Sequence, residues 1–160
     1  MEGLRIMLTG YFKKIGMRRF AVMTIGNVFL GMGISIFKLS GLGNDPFSGM
    51  VMALSDRTGI TYALFLVMVN AVLFLYEIAA GRKLIGAGTL INAFLLGYIA
   101  TFFYDIWLTF IGTPEQMIQR VITVLTGVII TSFGVSLYQY PNVGVAPYDS
   151  ISLIWCGKKP

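Results

Sequence analysis

An all-α, polytopic transmembrane helix bundle is the fold class this sequence predicts, and three observations carry that expectation. The first is composition: 56% of the 160 residues are hydrophobic and 12% charged, with a mean hydropathy of +0.79, whereas a soluble domain carries about 25% charged residues. The second is the layout of the apolar runs. Phe20 to Phe37, Gly59 to Tyr76, Leu84 to Tyr104 and Val121 to Tyr140 are free of charge, and each approaches the about 20 residues that cross a hydrocarbon core. The third is an internal duplication. Gly127 lies 101 positions after Gly26, and without a gap the same offset pairs Gly33 with Gly134, Ser35 with Ser136, Gly43 with Gly144, Pro46 with Pro147 and Phe47 with Tyr148.

The elements follow in chain order. Residues 1–17 set Leu4, Ile6, Met7, Leu8, Tyr11, Phe12 and Ile15 among basic residues, a pattern that suits a short amphipathic helix on an anionic leaflet. The apolar run that follows is too long for a secretory signal core, has no small-residue cleavage site after it, and belongs to the repeat, so it reads as a retained span. Residues 18–112 form the first repeat: three spans plus a short helix over residues 46–55, apolar but too short to cross. Such a re-entrant or interfacial piece is accepted only where protein or a wet cavity satisfies its backbone. Residues 113–160 begin the second repeat, with one span and a short helix from Pro147.

Lys and Arg concentrate on the cytoplasmic side of spans. Arg5, Lys13, Lys14, Arg18 and Arg19 precede the first span, Arg82 and Lys83 separate the second from the third, and Lys158 and Lys159 follow the last. The N-terminus is therefore expected in the cytoplasm, with Asp56, Arg57, Pro114 and Glu115 in the outer loops. On that threading the first copy opens on an outward span and the second on an inward one, so the repeats are inverted, an architecture of many secondary transporters. The second copy lacks counterparts of the spans at Gly59 to Tyr76 and Leu84 to Ile111. The expectation is a chain that is C-terminally incomplete, or one that restores its symmetry by homo-oligomerising.

Each copy carries a Gly-x-x-Pro break, Gly43 to Pro46 and Gly144 to Pro147. Glycine permits positive φ and close approach, and proline suits the first turn of a new helix. Paired breaks at corresponding positions are the usual pointer to a central site. Gly43, Asn44, Asp45, Pro46, Ser48, Asn142, Gly144, Pro147 and Asp149 are the candidate lining, with Asn92 and Asp105 nearby. Helix N-termini converging there would favour a small polar or anionic solute. The plainer reading makes Asp45 and Asp149 caps of their own helices, the commonest use of a carboxylate at a helix start. Asn27, Asn70 and Asn92 fall inside spans, where they either contact a ligand or join helices. Lys38 and Glu77, at span ends, are expected to snorkel to the interface. Gly31, Gly33, Ser35, Gly86 and Gly88 are expected at close helix contacts, and Met50, Met52 and Met68 against lipid or core.

Enzymatic function is not expected. The chain has no histidine and a single cysteine, Cys156, so no disulfide, metal cluster or His-based catalysis is available. No phosphate loop is present, Asp105 and Asp149 lie in no protease motif, and no cofactor is implied. The net charge of +5 flanks the spans, which speaks for a lipid partner and against nucleic acid.

The order of "GLGNDPFSG", "DRTGITYA", "GRKLIGAGTLINAFLLGYIATFFYD" and "GVSLYQYPNVGVAPYDSISL" resembles the YczE/YyaS-like proteins, related to the wider YitT group of bacterial membrane proteins. The resemblance runs from about Arg18 to Trp155. It implies a multi-span bacterial inner-membrane protein of poorly defined activity, in a family some of whose members are linked to transport-like or accessory roles in secondary-metabolite production. Two functions follow as expectations: a transporter or permease with a solute site at the breaks, or a non-transporting membrane protein that docks or stabilises a partner complex.

Overall fold

The computed structural model describes residues 16–80 and 84–156. The expected amphipathic segment lies outside the described residues apart from its last two, as do Arg82, Lys83, Lys158 and Lys159. Among the described residues the chain is all-helical: α1 (Met17–Ser40), α2 (Pro46–Thr58), α3 (Tyr62–Ala80), α4 (Ala87–Phe110), α5 (Met117–Gln139) and α6 (Pro147–Trp155). The helices α1, α3, α4 and α5 are long and apolar enough to cross a membrane. At 24 residues, α1 measures about 36 Å and exceeds a hydrocarbon core of about 30 Å.

Local chemistry sets the boundaries. Gly41, at φ 65°, ends α1 in the left-handed conformation and returns its N–H to the Lys38 carbonyl. Pro46 occupies the first turn of α2, with Asp45 as N-cap. Helix α2 runs past the expected end at Ser55, through Asp56 and Arg57, until Gly59 turns left-handed at φ 72°. The second span therefore starts at Tyr62 and not at Gly59. The Gly86 N–H at the head of α4 donates to Thr89 Oγ1 at 3.1 Å.

The closest helix packing in the bundle is between α1 and α5, which run antiparallel. As the position on α1 rises through Gly26, Leu30, Gly33 and Phe37, its partner on α5 falls through Tyr138, Gly134, Thr131 and Gly127. A Cβ placed on Gly26 or Gly134 would lie 2.3 Å from the Tyr138 nitrogen or 2.5 Å from the Leu30 nitrogen, so these small residues let the two backbones touch. The contacts are also reciprocal. Under the 101-residue offset, Gly26 against Tyr138 becomes Gly127 against Phe37, and Gly33 against Thr131 becomes Gly134 against Leu30. Such reciprocity characterises elements packed about a local two-fold axis.

Helix α4 covers the other side of α1: Gly31 meets Ile99 and Ala100, and Trp107 Nε1 donates to Ser35 Oγ at 3.0 Å. Helix α3 packs antiparallel on α4, where Gly97 meets Ala63 and Asn70 Nδ2 donates to the Ala93 carbonyl at 3.2 Å. The small residues expected at close contacts are found there. Met50 and Met68 are exposed, and Met52 packs on the core. The two end-of-span charges differ from each other. Lys38 is half-buried, its ammonium 4.3 Å from the Tyr104 ring centre and 5.8 Å from that of Tyr62. Glu77, expected to snorkel, is instead 0% exposed. The reason is tertiary: α6 folds back over the end of α3, where Trp155 Nε1 donates to the Tyr76 hydroxyl at 3.3 Å.

Candidate functional site

Both breaks have the same backbone. Gly43 has φ 122° and Gly144 φ 114°, values that favour glycine. Two residues later Asp45 and Ala146 hold matching extended conformations, followed by Pro46 and Pro147 in the first turn of α2 and α6. The rings of Phe47 and Tyr148, equivalent under the offset, stack on one another with centroids 4.5 Å apart and planes 17° from parallel.

Behind this stack lies a cavity of about 190 Å³. Its wall is built from offset-related pairs: Leu30 with Thr131, Ile34 with Val135, Asp45 with Ala146, Phe47 with Tyr148, and Ser48 with Asp149. Tyr138 of α5 joins them, and α3 and α4 close one side with Leu66, Asn70, Asn92 and Leu96. Two aspartates face this space, and none of the described lining residues is Lys or Arg.

The carboxylates are held differently. Asp45 Oδ2 accepts the Ser48 backbone N–H at 3.0 Å, so it caps α2 as expected. The N-cap of α6 is Ala146, without a side-chain cap, and Asp149 reaches outside its helix instead. It accepts the hydroxyl proton of Tyr138, a side chain 1% exposed, and Gln139 Nε2 donates to both the Tyr138 hydroxyl at 3.0 Å and Asp149 Oδ2 at 3.4 Å. Asn92, 4% exposed, donates to Asn27 Oδ1 at 3.1 Å, and Asn27 donates to the Met23 carbonyl at 3.0 Å. Thr131 Oγ1 is buried with no hydrogen-bond partner among the described residues.

Of the expected site residues, Asp45, Ser48, Asn92 and Asp149 line the cavity. Gly43, Asn44, Pro46, Gly144 and Pro147 shape the breaks without lining it. Asn44 accepts the Asp45 N–H at 3.0 Å, and Pro147, the first residue of α6, is buried. Asn142 is exposed at φ 50°, in a surface depression with Arg18 and Arg19. Asp105 is exposed and lies outside the cavity wall; thirteen residues past Asn92 on one helix, it sits about 20 Å further along the axis. Beside the aliphatic residues already named, Asn70, Thr131, Tyr138 and the aromatic pair line the cavity as well. The sequence signal for the last was the Phe47 and Tyr148 match at the repeat offset.

Four apolar helices of spanning length, with two short helices broken off around a shared cavity, define a multi-pass membrane protein. The chain belongs to a family of unknown function, DUF6198, which it matches over residues 17–159. It is similar to the uncharacterized protein YyaS of Bacillus subtilis (strain 168), 28% identical over 137 residues, 81% of this chain and 64% of that one. An uncharacterized protein of Haemophilus influenzae is 27% identical over 150 residues, 92% of this chain and 63% of the relative. The chain thus spans just under two thirds of the length of these relatives. No solved structure matches it.

Proposed function

We propose that this is a transporter-like protein of a bacterial cell membrane, N-terminus in the cytoplasm, whose solute site is the cavity between the paired breaks. The observation that carries the reading is the symmetric wall: five offset-related residue pairs, among them the stacked Phe47 and Tyr148, converge on one largely apolar space into which a few polar side chains project. Antiparallel α1 and α5 support an inverted repeat, the arrangement in which rocking of one half against the other exposes a central site alternately. The cavity holds about half a dozen waters at about 30 Å³ each, so the solute is small. Two aspartates without a lining cation favour a neutral polar or cationic solute over the anionic one suggested by the helix termini, because Asp45 already occupies the head of α2.

Uptake into proteoliposomes from a panel of small amines, polyols and carboxylates tests this. Asp149→Asn is expected to lower flux of the accepted solute at least tenfold, and Asp45→Asn to change it less, with both variants inserting and purifying normally. Flux of a carboxylate through the wild type would refute the charge assignment. Absence of any flux, together with a stoichiometric partner retained in mild detergent and released by changes within residues 5–19, would favour the docking function instead.

A further inference from the structure

The asparagines inside the spans fix which end of a carboxamide the cavity meets. Asn27 of α1 is 0% exposed, and its Nδ2 donates to the Met23 carbonyl at 3.0 Å. A carbonyl only accepts, so Asn27 faces it with nitrogen and turns Oδ1 the other way. Asn92 of α4 meets that oxygen with its own Nδ2 at 3.1 Å, which leaves Asn92 Oδ1 as the free end of the relay. Asn70 of α3 is pinned in the same manner: its Nδ2 donates to the carbonyl of Ala93, the residue after Asn92, at 3.2 Å. Two backbone carbonyls thus orient all three amides and leave no choice of flip.

Asn70 and Asn92 are 2% and 4% exposed, and both line the cavity. Among the described residues neither Oδ1 accepts a hydrogen bond, yet neither is sealed in protein. For side chains this buried, the surface left to the oxygens is that of the cavity. Buried polar atoms are otherwise hydrogen-bonded, so two bare oxygens on neighbouring helices mark where a donor belongs.

The rest of the wall says what carries the donor. Leu30, Ile34, Leu66, Leu96 and Val135 are aliphatic, and a bare metal ion would leave them facing water. Asp45 and Asp149 each engage the protein through Oδ2, and no described lining residue is Lys or Arg to neutralise them. Asp45 is exposed and Asp149 half-buried, so the carboxylates stand nearer the surface than the amide oxygens.

We propose that the cavity binds a small primary ammonium ion with an apolar body, its N–H groups donating to Asn70 Oδ1 and Asn92 Oδ1, and that Asn27 is a positioning residue that aims Asn92. This rests on the reading of the cavity as a solute site and narrows the solute to one class. The carboxylates draw the cation in, the amide oxygens replace the water it sheds, and the aliphatic wall takes its body. A site built to hydrogen-bond N–H groups rejects an isostere that lacks them.

Calorimetric titration of the protein in nanodiscs with chloride salts at fixed ionic strength tests this without any transport. tert-Butylammonium and tetramethylammonium share charge and nearly share size and shape, but only the first has N–H donors. tert-Butylammonium is expected to bind at least about tenfold more tightly than tetramethylammonium or sodium. Equal affinity for the two organic cations would overturn the proposal, and so would tighter binding of sodium. Asn70→Leu and Asn92→Leu are expected to erase the preference between the organic cations, and Asn27→Leu to reduce it while tetramethylammonium affinity stays unchanged. A preference intact in the first two variants would overturn the contacts, and one intact in Asn27→Leu the positioning role. Should a variant fail to fold, the wild-type comparison decides alone. Ammonium binding by a protein that moves no solute would support this site and refute transport; flux of a polyol without ammonium binding would overturn this assignment and leave transport standing.

Discussion

The two breaks share a backbone and differ in everything that surrounds it. Around Gly43 there is open space: a Cβ there would meet nothing within 4 Å, and Gly43 itself is exposed. Around Gly144 the chain is clamped. A Cβ would lie 2.6 Å from the Gly86 Cα, and the strand of backbone beside it is tied to the start of α4 by Gly88 N–H to the Val143 carbonyl at 3.0 Å and Val145 N–H to the Leu84 carbonyl at 3.2 Å. One break is thus open at the surface, and the other is clamped against the start of α4. A transport cycle under this arrangement would move the first break more freely than the second.

The largest effect expected from that difference is at the glycines. Gly144→Ala combines a positive φ, which costs an L-residue about 1–2 kcal/mol, with a clash against backbone that cannot yield, adding about 1–3 kcal/mol of overpacking. Gly43→Ala carries the first cost alone. Thermal unfolding in detergent is expected to show Gly144→Ala as the markedly less stable variant. Equal losses at both positions would mean that the clamp contributes nothing.

A smaller contrast concerns the carboxylates. Asp45 works within its own helix, so Asp45→Ala removes a cap worth about 1 kcal/mol. Asp149 joins α6 to α5 through a buried tyrosine hydroxyl, and a hydrogen bond to a charged group contributes about 1.5–3 kcal/mol. A double-mutant cycle of Tyr138→Phe with Asp149→Asn should therefore show coupling, and one of Phe37→Ala with Asp45→Asn should show none. Additive effects in the first cycle would make Asp149 a solvated first-turn residue like many others.

How much of this was legible in the sequence follows from what a linear pattern encodes. The duplication, the breaks and the spans are periodic or local, and they were readable because Gly43, Pro46 and their equivalents act on their own backbone. That Asp105 falls outside the cavity follows from helical rise alone, once Asn92 and Asp105 are placed on one helix. Glu77 was not legible. At the end of an apolar run it looks like any snorkelling charge, and only the return of α6 over α3, dozens of residues later, buries it. The hydrogen bond between Asn92 and Asn27 and the closure of Gly86 on Gly144 have the same character: each joins positions that no local signal relates.

The finest contrast lies at the stacked rings, where the two breaks meet. If Phe47 and Tyr148 face one another across the local axis, each depends on the other, and the stack contributes about 0.5–1.5 kcal/mol beyond the area the rings bury. Phe47→Ala and Tyr148→Ala should then each destabilise the protein, with the double variant losing less than the two together. Tyr148 follows the clamped break and Phe47 the open one, so the ring lost from α6 should leave α2 more exposed to proteolysis, whereas the ring lost from α2 should leave α6 protected by the remaining ties of its break to α4. Equal protease sensitivity of both short helices in both variants would show that the stack does not hold the loose break to the fixed one.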